Sequence, residues 1–251
     1  MTLPPELKAR RVLLALAAGG ADAASLRTGV LLAASLSVEL EALFLEDADL
    51  FTLSALPFAR EILPSGAERP VLTQTLSDSL RAQAETLRQQ LASQAEPARV
   101  KWSFRTLRAR RISALLELAA GQDVVVTAWQ RRMRWPAVPG VRPVAKPVVL
   151  AYESAEPPAG AMEIAVRLAR NLDTELVLLG PAAAETQLTV MDGLHMRRIV
   201  RDDATMPGLL AALAGLPVEM LVLPAGELSA YAPVEIGRLL DAMAVPVVLV
   251  R

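Results

Sequence analysis

Short apolar runs alternate with amphipathic segments along this chain. The runs carry few polar residues, which is typical of strands buried on both faces of a parallel sheet. The strands of the first half are predicted at residues 11–16, 40–45, 99–105 and 124–128. Those of the second half are predicted at 147–152, 175–179, 194–201, 218–223 and 246–250. Apolar residues at helical spacing predict helices at 68–94, 112–120, 158–172, 207–214 and 233–244. A further helix is predicted between the first two strands, with a buried stripe of Leu26, Val30, Leu31, Ala34 and Leu36.

A repeated pattern divides the chain in two. Residues 32–40 read LAASLSVEL and residues 168–176 read LARNLDTEL, so both follow L-A-x-x-L-x-x-E-L. A V-x-L-A strand lies at the same distance before each copy. A match without gaps over strand, helix and strand indicates a tandem duplication. We therefore predict two domains, 1–145 and a shorter 146–251, which lacks one long helix. The strand at 147–152 could complete the first sheet or begin the second.

Composition excludes several classes of site. The chain has no cysteine and a single histidine, His195. Disulfides, thiolate metal sites, multi-histidine metal sites and a Ser-His triad in each half are therefore excluded. No apolar run approaches the roughly 18–20 residues that cross a bilayer, and the first residues lack the pattern of a signal peptide. We expect a cytoplasmic protein with no metal and no membrane partner.

Basic residues are concentrated in one segment. Residues 99–146 hold 11 basic and 2 acidic residues, a local charge of +9, whereas the chain as a whole carries −1. The arginines expected after the third and fourth strands could bind phosphate bidentately, and two tryptophans beside them could stack on a base. Alternatively, they form a solvated face or ion pairs at the domain junction. These residues are Arg105, Arg108, Arg110, Arg111, Arg131, Arg132, Arg134, Trp129 and Trp135.

On the repeated pattern and the closing strand Pro246-Val247-Val248-Leu249-Val250, the chain resembles the universal stress protein family in its tandem form. Residues 42–47, ALFLED, and 56–62, LPFAREI, also resemble a bacterial subgroup of that family. The resemblance implies an α/β fold: two tandem, doubly wound parallel-sheet domains with strand order 3-2-1-4-5. Many members of the family bind ATP, dimers are usual, and many members have no known catalytic activity.

The family's ATP site has an Asp after the first strand and a G-x-x-G, nine residues, G-[ST] loop after the fourth. Ala17 takes the Asp position in the first half, and Glu153 takes it in the second. No glycine follows the fourth strand of the first half in residues 129–135, and Gly226 follows that of the second without the paired glycines. The resemblance therefore supports the fold and argues against the standard ATP site. We expect no cofactor, although ATP is not excluded.

A candidate ligand pocket is nevertheless defined at the carboxyl ends of the strands. Each candidate has a structural alternative: glycines suit turns that need positive φ, Glu153 can favour a helix N-terminus through the dipole, and arginines suit a solvated face. The candidates are Gly19, Gly20, Arg131, Arg132, Glu153 and Gly226.

The functional expectation is a non-catalytic stress-response or regulatory binding module that forms a homo-oligomer or an intramolecular domain pair. Its partner would be an unidentified protein or a phosphorylated small ligand, and nucleic acid is not expected. The alternative is a protein that binds adenine nucleotides or other phosphorylated ligands through its arginine-rich loops. A nucleotide hydrolase ranks third, because the chain shows no glycine-rich pyrophosphate loop and no acid/base pair.

Overall fold

A computed structural model describes residues 11–18, 23–62, 65–128, 146–181, 190–191, 193–201, 203–243 and 245–251. The strands of this part of the chain are β1 Arg11–Ala17, β2 Glu39–Asp47, β3 Arg60–Ile62, β4 Glu68–Pro70, β5 Trp102–Ala109, β6 Val124–Ala128, β7 Val148–Ala151, β8 Leu176–Gly180, β9 Val190–Met191, β10 Leu194–Val200, β11 Met220–Pro224 and β12 Val247–Val250. The α-helices are α1 Ala23–Leu36, α2 Ala48–Ser54, α3 Thr73–Ala95, α4 Arg111–Gly121, α5 Ala159–Asn171, α6 Met206–Ala214 and α7 Pro233–Ala242. None of the helices in the described ranges is both long and apolar enough to cross a membrane.

Ten strands form one sheet in the order β5-β2-β1-β6-β12-β11-β7-β8-β10-β9. In the second half, β10-β8-β7-β11-β12 are parallel neighbours, which is the order 3-2-1-4-5 and confirms the predicted fold class. The first half contributes four strands in the order 3-2-1-4. The strand predicted at 147–152 belongs to the second half, because β7 pairs with β8 and β11.

The two halves meet through an antiparallel pair of strands. The edge of β6, where a fifth strand of the first half would lie, pairs instead with β12, and Val126 stands opposite Val248. The Thr127 hydroxyl donates to the Val247 carbonyl at 3.2 Å, so its buried oxygen is satisfied within the pair. The antiparallel direction turns the carboxyl ends of the two sets of parallel strands toward opposite edges of the sheet.

Helices cover both faces of the sheet and bury two cores. The first core is formed with α1, α3 and α5, and the second with α4, α6 and α7. Each core contains residues from both halves, for example Leu14 and Leu150 in the first, and Leu13 and Val149 in the second. Burial on both faces explains why the central strands read as continuous apolar runs.

The repeated sequence adopts the same backbone geometry twice. After α1, Ser37 has φ 54°, and after α5 the equivalent Asp173 has φ 50°. In both copies the amide of the next residue donates a hydrogen bond to a carbonyl of the preceding helix. The distance is 3.0 Å from Val38 N to Ala33 O and 3.0 Å from Thr174 N to Ala169 O. Left-handed residues of this kind end many helices. The strand registers also match, since Val12 pairs with Leu40 and Val148 pairs with Leu176.

The connection between β2 and α3 differs from the sequence prediction. Between the strand predicted at 40–45 and the helix predicted at 68–94, the structure contains α2 and an antiparallel hairpin of β3 and β4, for which no element was predicted. The long helix begins at Thr73 instead, because Pro70 has no amide hydrogen and disfavours helical backbone at the preceding residue. The strand predicted at 99–105 is displaced to β5, which is a parallel neighbour of β2.

Side chains reinforce the junction on both faces. Arg111 of α4 pairs with Asp241 of α7 at 3.0 Å. On the opposite face, Arg167 of α5 donates to the Ser35 carbonyl of α1 at 3.1 Å. Because contacts between helices and between strands both join the two halves, the halves should unfold together rather than separately.

Leu249 is 1% exposed and stands opposite Val125 across the junction. Replacing a leucine in such a core removes buried methyl groups and leaves a cavity, so Leu249→Ala should lower the free energy of unfolding by about 2–5 kcal/mol. Urea unfolding followed by tryptophan fluorescence and by circular dichroism measures this. All three tryptophans lie in the first half, so their fluorescence reports on that half alone.

The matched control is Val234→Ala, since Val234 is 61% exposed on α7 and its truncation should change stability by no more than about 0.5 kcal/mol. If Leu249→Ala left the tryptophan transition unmoved while circular dichroism changed, the halves would be independent and the junction would not couple them.

Candidate functional site

Three polar side chains meet at the carboxyl ends of the second half's strands. Glu153 follows β7, Arg201 follows β10, and Tyr231 follows the 3₁₀ turn Ala225–Ala230 that comes after β11. One oxygen of the Glu153 carboxylate accepts a hydrogen bond from the Tyr231 hydroxyl at 2.6 Å and another from the Arg201 guanidinium. Glu153, the predicted ligand contact, is therefore held by two side chains of its own chain.

Arg201 is the buried member of this cluster. It is 7% exposed, and its guanidinium also donates to the Thr205 carbonyl at 3.2 Å. A buried arginine needs a paired carboxylate, because an uncompensated charge in the interior is costly. Glu153 supplies that carboxylate, so its negative charge compensates the buried charge of Arg201.

A second carboxylate, that of Glu227, accepts hydrogen bonds from the backbone that follows β7. Glu227 accepts hydrogen bonds from the amides of Glu153 at 2.7 Å and Ser154 at 3.1 Å. It also accepts from the Ser154 hydroxyl at 2.7 Å. Amides after the first strand of such a sheet are natural donors to phosphate. Here the Glu227 side chain is the anion that they bind.

Backbone amides at the start of α6 also donate to side chains of the same chain. The carboxylate of Asp203 accepts from the Thr205 amide at 2.8 Å, and the Thr205 hydroxyl accepts from the Gly208 amide at 3.3 Å. Hydrogen bonds from the Thr205 hydroxyl and then from the Thr205 amide lower the pKa of Asp203. A Cβ at Gly208 would lie 2.6 Å from the Asp203 carboxyl carbon, so glycine is required for this close approach.

The two tyrosines are both shielded at this end of the sheet. Burial and then the hydrogen bond to Glu153 raise the pKa of Tyr231 to about 12. Burial also raises the pKa of Tyr152, which is 1% exposed and packs on the opposite face from Glu153. Its ring lies against Gly180, where an added Cβ would come within 2.5 Å of a ring carbon.

Of the six candidate ligand residues, Glu153 and Gly226 lie within the described part of the chain. Gly226 is in the 3₁₀ turn, directly before Glu227, and an added Cβ there would meet nothing within 4 Å. The candidates Gly19, Gly20, Arg131 and Arg132 lie outside the described residues, as do Trp129, Arg134 and Trp135.

Sequence reasoning missed Arg201, Asp203, Glu227 and Tyr231. Glu227 directly follows the predicted Gly226, and Arg201 ends a predicted strand, so position alone could have indicated both. No local pattern in the sequence pairs Tyr231 with Glu153, because 78 residues separate them.

Four described arginines of the basic segment, Arg105, Arg108, Arg110 and Arg111, are paired with carboxylates. Arg105 and Arg108 lie within β5 rather than after it, which corrects their predicted positions. Arg110 and Arg111 follow β5 and lead into α4, as predicted. The partners of the four arginines are Glu41 at 2.5 Å, Glu46 at 3.0 Å, Asp49 at 3.4 Å and Asp241 at 3.0 Å, respectively. Three of these pairs lie within the first half, so most of them do not hold the two halves together.

His195 is exposed on β10. Within the described ranges, no three histidine or acidic side chains are grouped so that they could hold a metal ion.

Neither a protein-family model nor a curated protein matches the chain. Its structure is similar to that of a universal stress protein from Archaeoglobus fulgidus DSM 4304, with 12% identity, 97% of each chain covered and a TM-score of 0.49. It is also similar to a functionally unknown protein from Pseudomonas aeruginosa PAO1, with 12% identity, 96% of this chain and 92% of that chain covered, and a TM-score of 0.45. At these scores the fold assignment depends on the strand order itself, which is that of the universal stress protein type.

The chain has two tyrosines, so ultraviolet titration of tyrosinate can resolve them. The absorbance difference between the native protein and Tyr231→Phe should show ionisation of Tyr231 with a midpoint near pH 12, against about 10 for an exposed tyrosine. Because the pKa is higher in the folded state, stability from this group is complete below about pH 10 and is lost as the pH rises toward 12. Glu153→Gln should lower the midpoint; a native midpoint near pH 10 would contradict the contact.

Glu227→Ala leaves two backbone amides and the Ser154 hydroxyl without their acceptor. The loss of hydrogen bonds to a charged, half-buried group should lower the free energy of unfolding by about 1–3 kcal/mol. Glu219→Ala removes an exposed carboxylate nearby in sequence and should change stability by no more than about 0.5 kcal/mol. Equal effects of the two variants in urea unfolding would show that Glu227 does not hold the loop after β7.

Proposed function

We propose that the protein is a non-catalytic, universal-stress-protein-like binding module with a regulatory role, and that its second half has exchanged a nucleotide site for an internal network. The observation that carries this proposal is the Glu227 carboxylate on the amides of Glu153 and Ser154. An anionic ligand at this position would have to displace a carboxylate that already accepts hydrogen bonds from the same amides. Like charges at this range repel, so binding of an anion there is opposed twice.

The chemistry of the remaining groups supports a role without catalysis. Glu153 is bound by Arg201 and Tyr231, so it is not a free general base. The pKa of Tyr231, about 12, is too high for this phenol to exchange protons near neutral pH. In the first half, Ala17 ends β1 without a carboxylate. A cytoplasmic location remains the prediction from the sequence.

The second candidate is binding of a phosphorylated ligand through Arg131 and Arg132. The feature that favours it is the local charge of +9 over residues 99–146. Against it, the described arginines Arg105, Arg108 and Arg110 are already engaged with carboxylates of the first half.

Thermal-shift and calorimetric titration with ATP, ADP, AMP and cyclic dinucleotides tests both candidates. The proposed module should show no saturable shift and no release of phosphate from ATP. A ligand at 100 times its Kd would add about 2.7 kcal/mol of stability, which is readily detected. Saturable binding lost in Arg131→Ala/Arg132→Ala would establish the second candidate, and saturable binding retained in that variant would contradict both.

Glu227→Ala offers a further test of the exchanged site. If the Glu227 carboxylate stands in for a ligand anion, added phosphate or acetate should restore part of the stability that Glu227→Ala loses. The same anions should leave Glu219→Ala unchanged at equal ionic strength. An equal response of both variants would show a general salt effect and would remove the support that this contact gives.

A further inference from the structure

A cavity lies at the junction of the two halves, beside the start of α1. Its volume is about 310 Å³, near the lower end of the range of about 300–1,000 Å³ for small-molecule sites. Such sites often lie where two domains meet. We call it the junction cavity, and its walls include Arg27 and Leu31 of α1 and Leu172, Glu219, Met220 and Pro246 of the second half.

The backbone around the junction cavity is fixed by the sheet and by α5. The Glu219 amide donates to the Pro147 carbonyl at 2.9 Å, and the Leu221 amide donates to the Pro246 carbonyl at 3.1 Å. Leu172 is the C-cap of α5, so its backbone is held by the last turn of that helix. Because these elements also pack the two halves together, the cavity is a preformed part of the junction.

Two side chains of opposite charge line the cavity, one from each half. Arg27 lies four residues after the start of α1, and Glu219 directly precedes β11. Both residues are exposed, and neither side chain has a hydrogen bond or an ion pair within the described part of the chain. A guanidinium donates hydrogen bonds and a carboxylate accepts them. The cavity therefore offers a ligand one group of each kind.

The rest of the cavity wall is largely apolar. Leu31 and Leu172 are partly buried and pack against the first core, whereas Met220 and Pro246 are buried. Leu31 lies four residues after Arg27, so the two side chains share one face of α1. An apolar wall beside two opposite charges suits a ligand that carries both charges and an apolar group within a small volume.

The helix ends beside the cavity favour the same two charges. Ala23, the first residue of α1, lines the cavity, and so does Leu172 at the end of α5. A helix carries a partial positive charge at its N-terminus and a partial negative charge at its C-terminus. The start of α1 therefore adds to Arg27 in favouring an anionic group, and the end of α5 adds to Glu219 in favouring a cationic group.

We propose that the junction cavity binds a zwitterionic α-amino acid with an apolar side chain. Arg27 binds the carboxylate, Glu219 binds the ammonium group, and the apolar wall contacts the side chain. A nucleotide does not suit this cavity, because its phosphates would bring several negative charges beside Glu219 against a single arginine.

The proposal goes beyond the proposed function. The junction cavity lies at the amino ends of β11 and β12, whereas the network of Glu227 lies at the carboxyl ends of the second half's strands. Because Arg27 belongs to the first half and Glu219 to the second, a bound amino acid joins the halves at a place other than the pairing of β6 with β12. Binding should therefore stabilise both halves together.

Calorimetric and thermal-shift titration of the full chain with L-leucine, L-methionine and L-phenylalanine, up to about 10 mM, tests the proposal. We expect saturable binding and a rise in Tm. Two analogues of leucine separate the charges: isocaproate lacks the ammonium group, and isoamylamine lacks the carboxylate. Each should bind about tenfold more weakly than L-leucine, because each loses a hydrogen bond between charged groups.

Arg27→Gln and Glu219→Gln each remove one charge at an exposed position, so both variants should keep the circular dichroism and the Tm of the ligand-free native chain. Each should bind L-leucine about tenfold more weakly. Arg27→Gln should not weaken binding of isoamylamine further, and Glu219→Gln should not weaken that of isocaproate. The matched controls Arg238→Gln on α7 and Glu117→Gln on α4 remove the same charges at exposed positions on the opposite face of the sheet and should bind L-leucine as the native chain does.

A lack of saturable binding of all three amino acids would overturn the proposal, and so would native affinity for L-leucine in Arg27→Gln or Glu219→Gln. Equal weakening in the two control variants would overturn it too, because binding would then depend on net charge and not on this cavity. None of the probes contains phosphate, so these outcomes and the outcome of the nucleotide titration are independent.

Discussion

The antiparallel pairing of β6 with β12 is the interaction on which the rest of the structure depends. Each half of the chain has a sheet edge that would otherwise expose unpaired amides and carbonyls, and an exposed edge is a template for pairing with another chain. Joining the two edges makes one sheet of ten strands and lets both cores run across the junction. The helix contacts on either face, such as Arg111 with Asp241, follow from that pairing.

In the second half, side chains of the chain itself accept hydrogen bonds from backbone amides at the carboxyl end of the sheet. Backbone amides at the carboxyl ends of parallel strands and at helix N-termini need acceptors, and a ligand anion is one way to supply them. Here Glu227 and Asp203 supply the acceptors, and the Arg201–Glu153 pair joins the segments that follow β7 and β10. The same donors that could recognise phosphate thereby contribute to folding stability.

More of the fold than of the candidate site could be predicted from the sequence. Buried parallel strands leave continuous apolar runs, and a gapless repeat reveals duplicated units, so the strands of the second half could be predicted. Their order was an expectation from the resemblance to the universal stress protein family. The hairpin at residues 60–70 could not, because its short strands are exposed and lack alternation. At the site, Glu153 was predicted from its position after β7, but its bond with Tyr231 joins residues 78 apart in sequence, and no local pattern records such a contact. The pairing of β6 with a strand of the other half was likewise invisible, since β-pairing partners leave little mark on single strands.

The place of β12 in the sheet also bears on how the protein is made. Thr127 of β6 and Val247 of β12 are bonded across 120 residues of sequence. During synthesis, β6 therefore emerges long before β12, and until β12 arrives the backbone groups at that edge of β6 remain unpaired. Domains fold in order as they leave the ribosome, and an unpaired edge is the part of a nascent chain most prone to wrong partners. The strand β12, which is made after the other described strands, thus closes the centre of the sheet, and any delay in its arrival lengthens the interval in which β6 can join a neighbouring nascent chain.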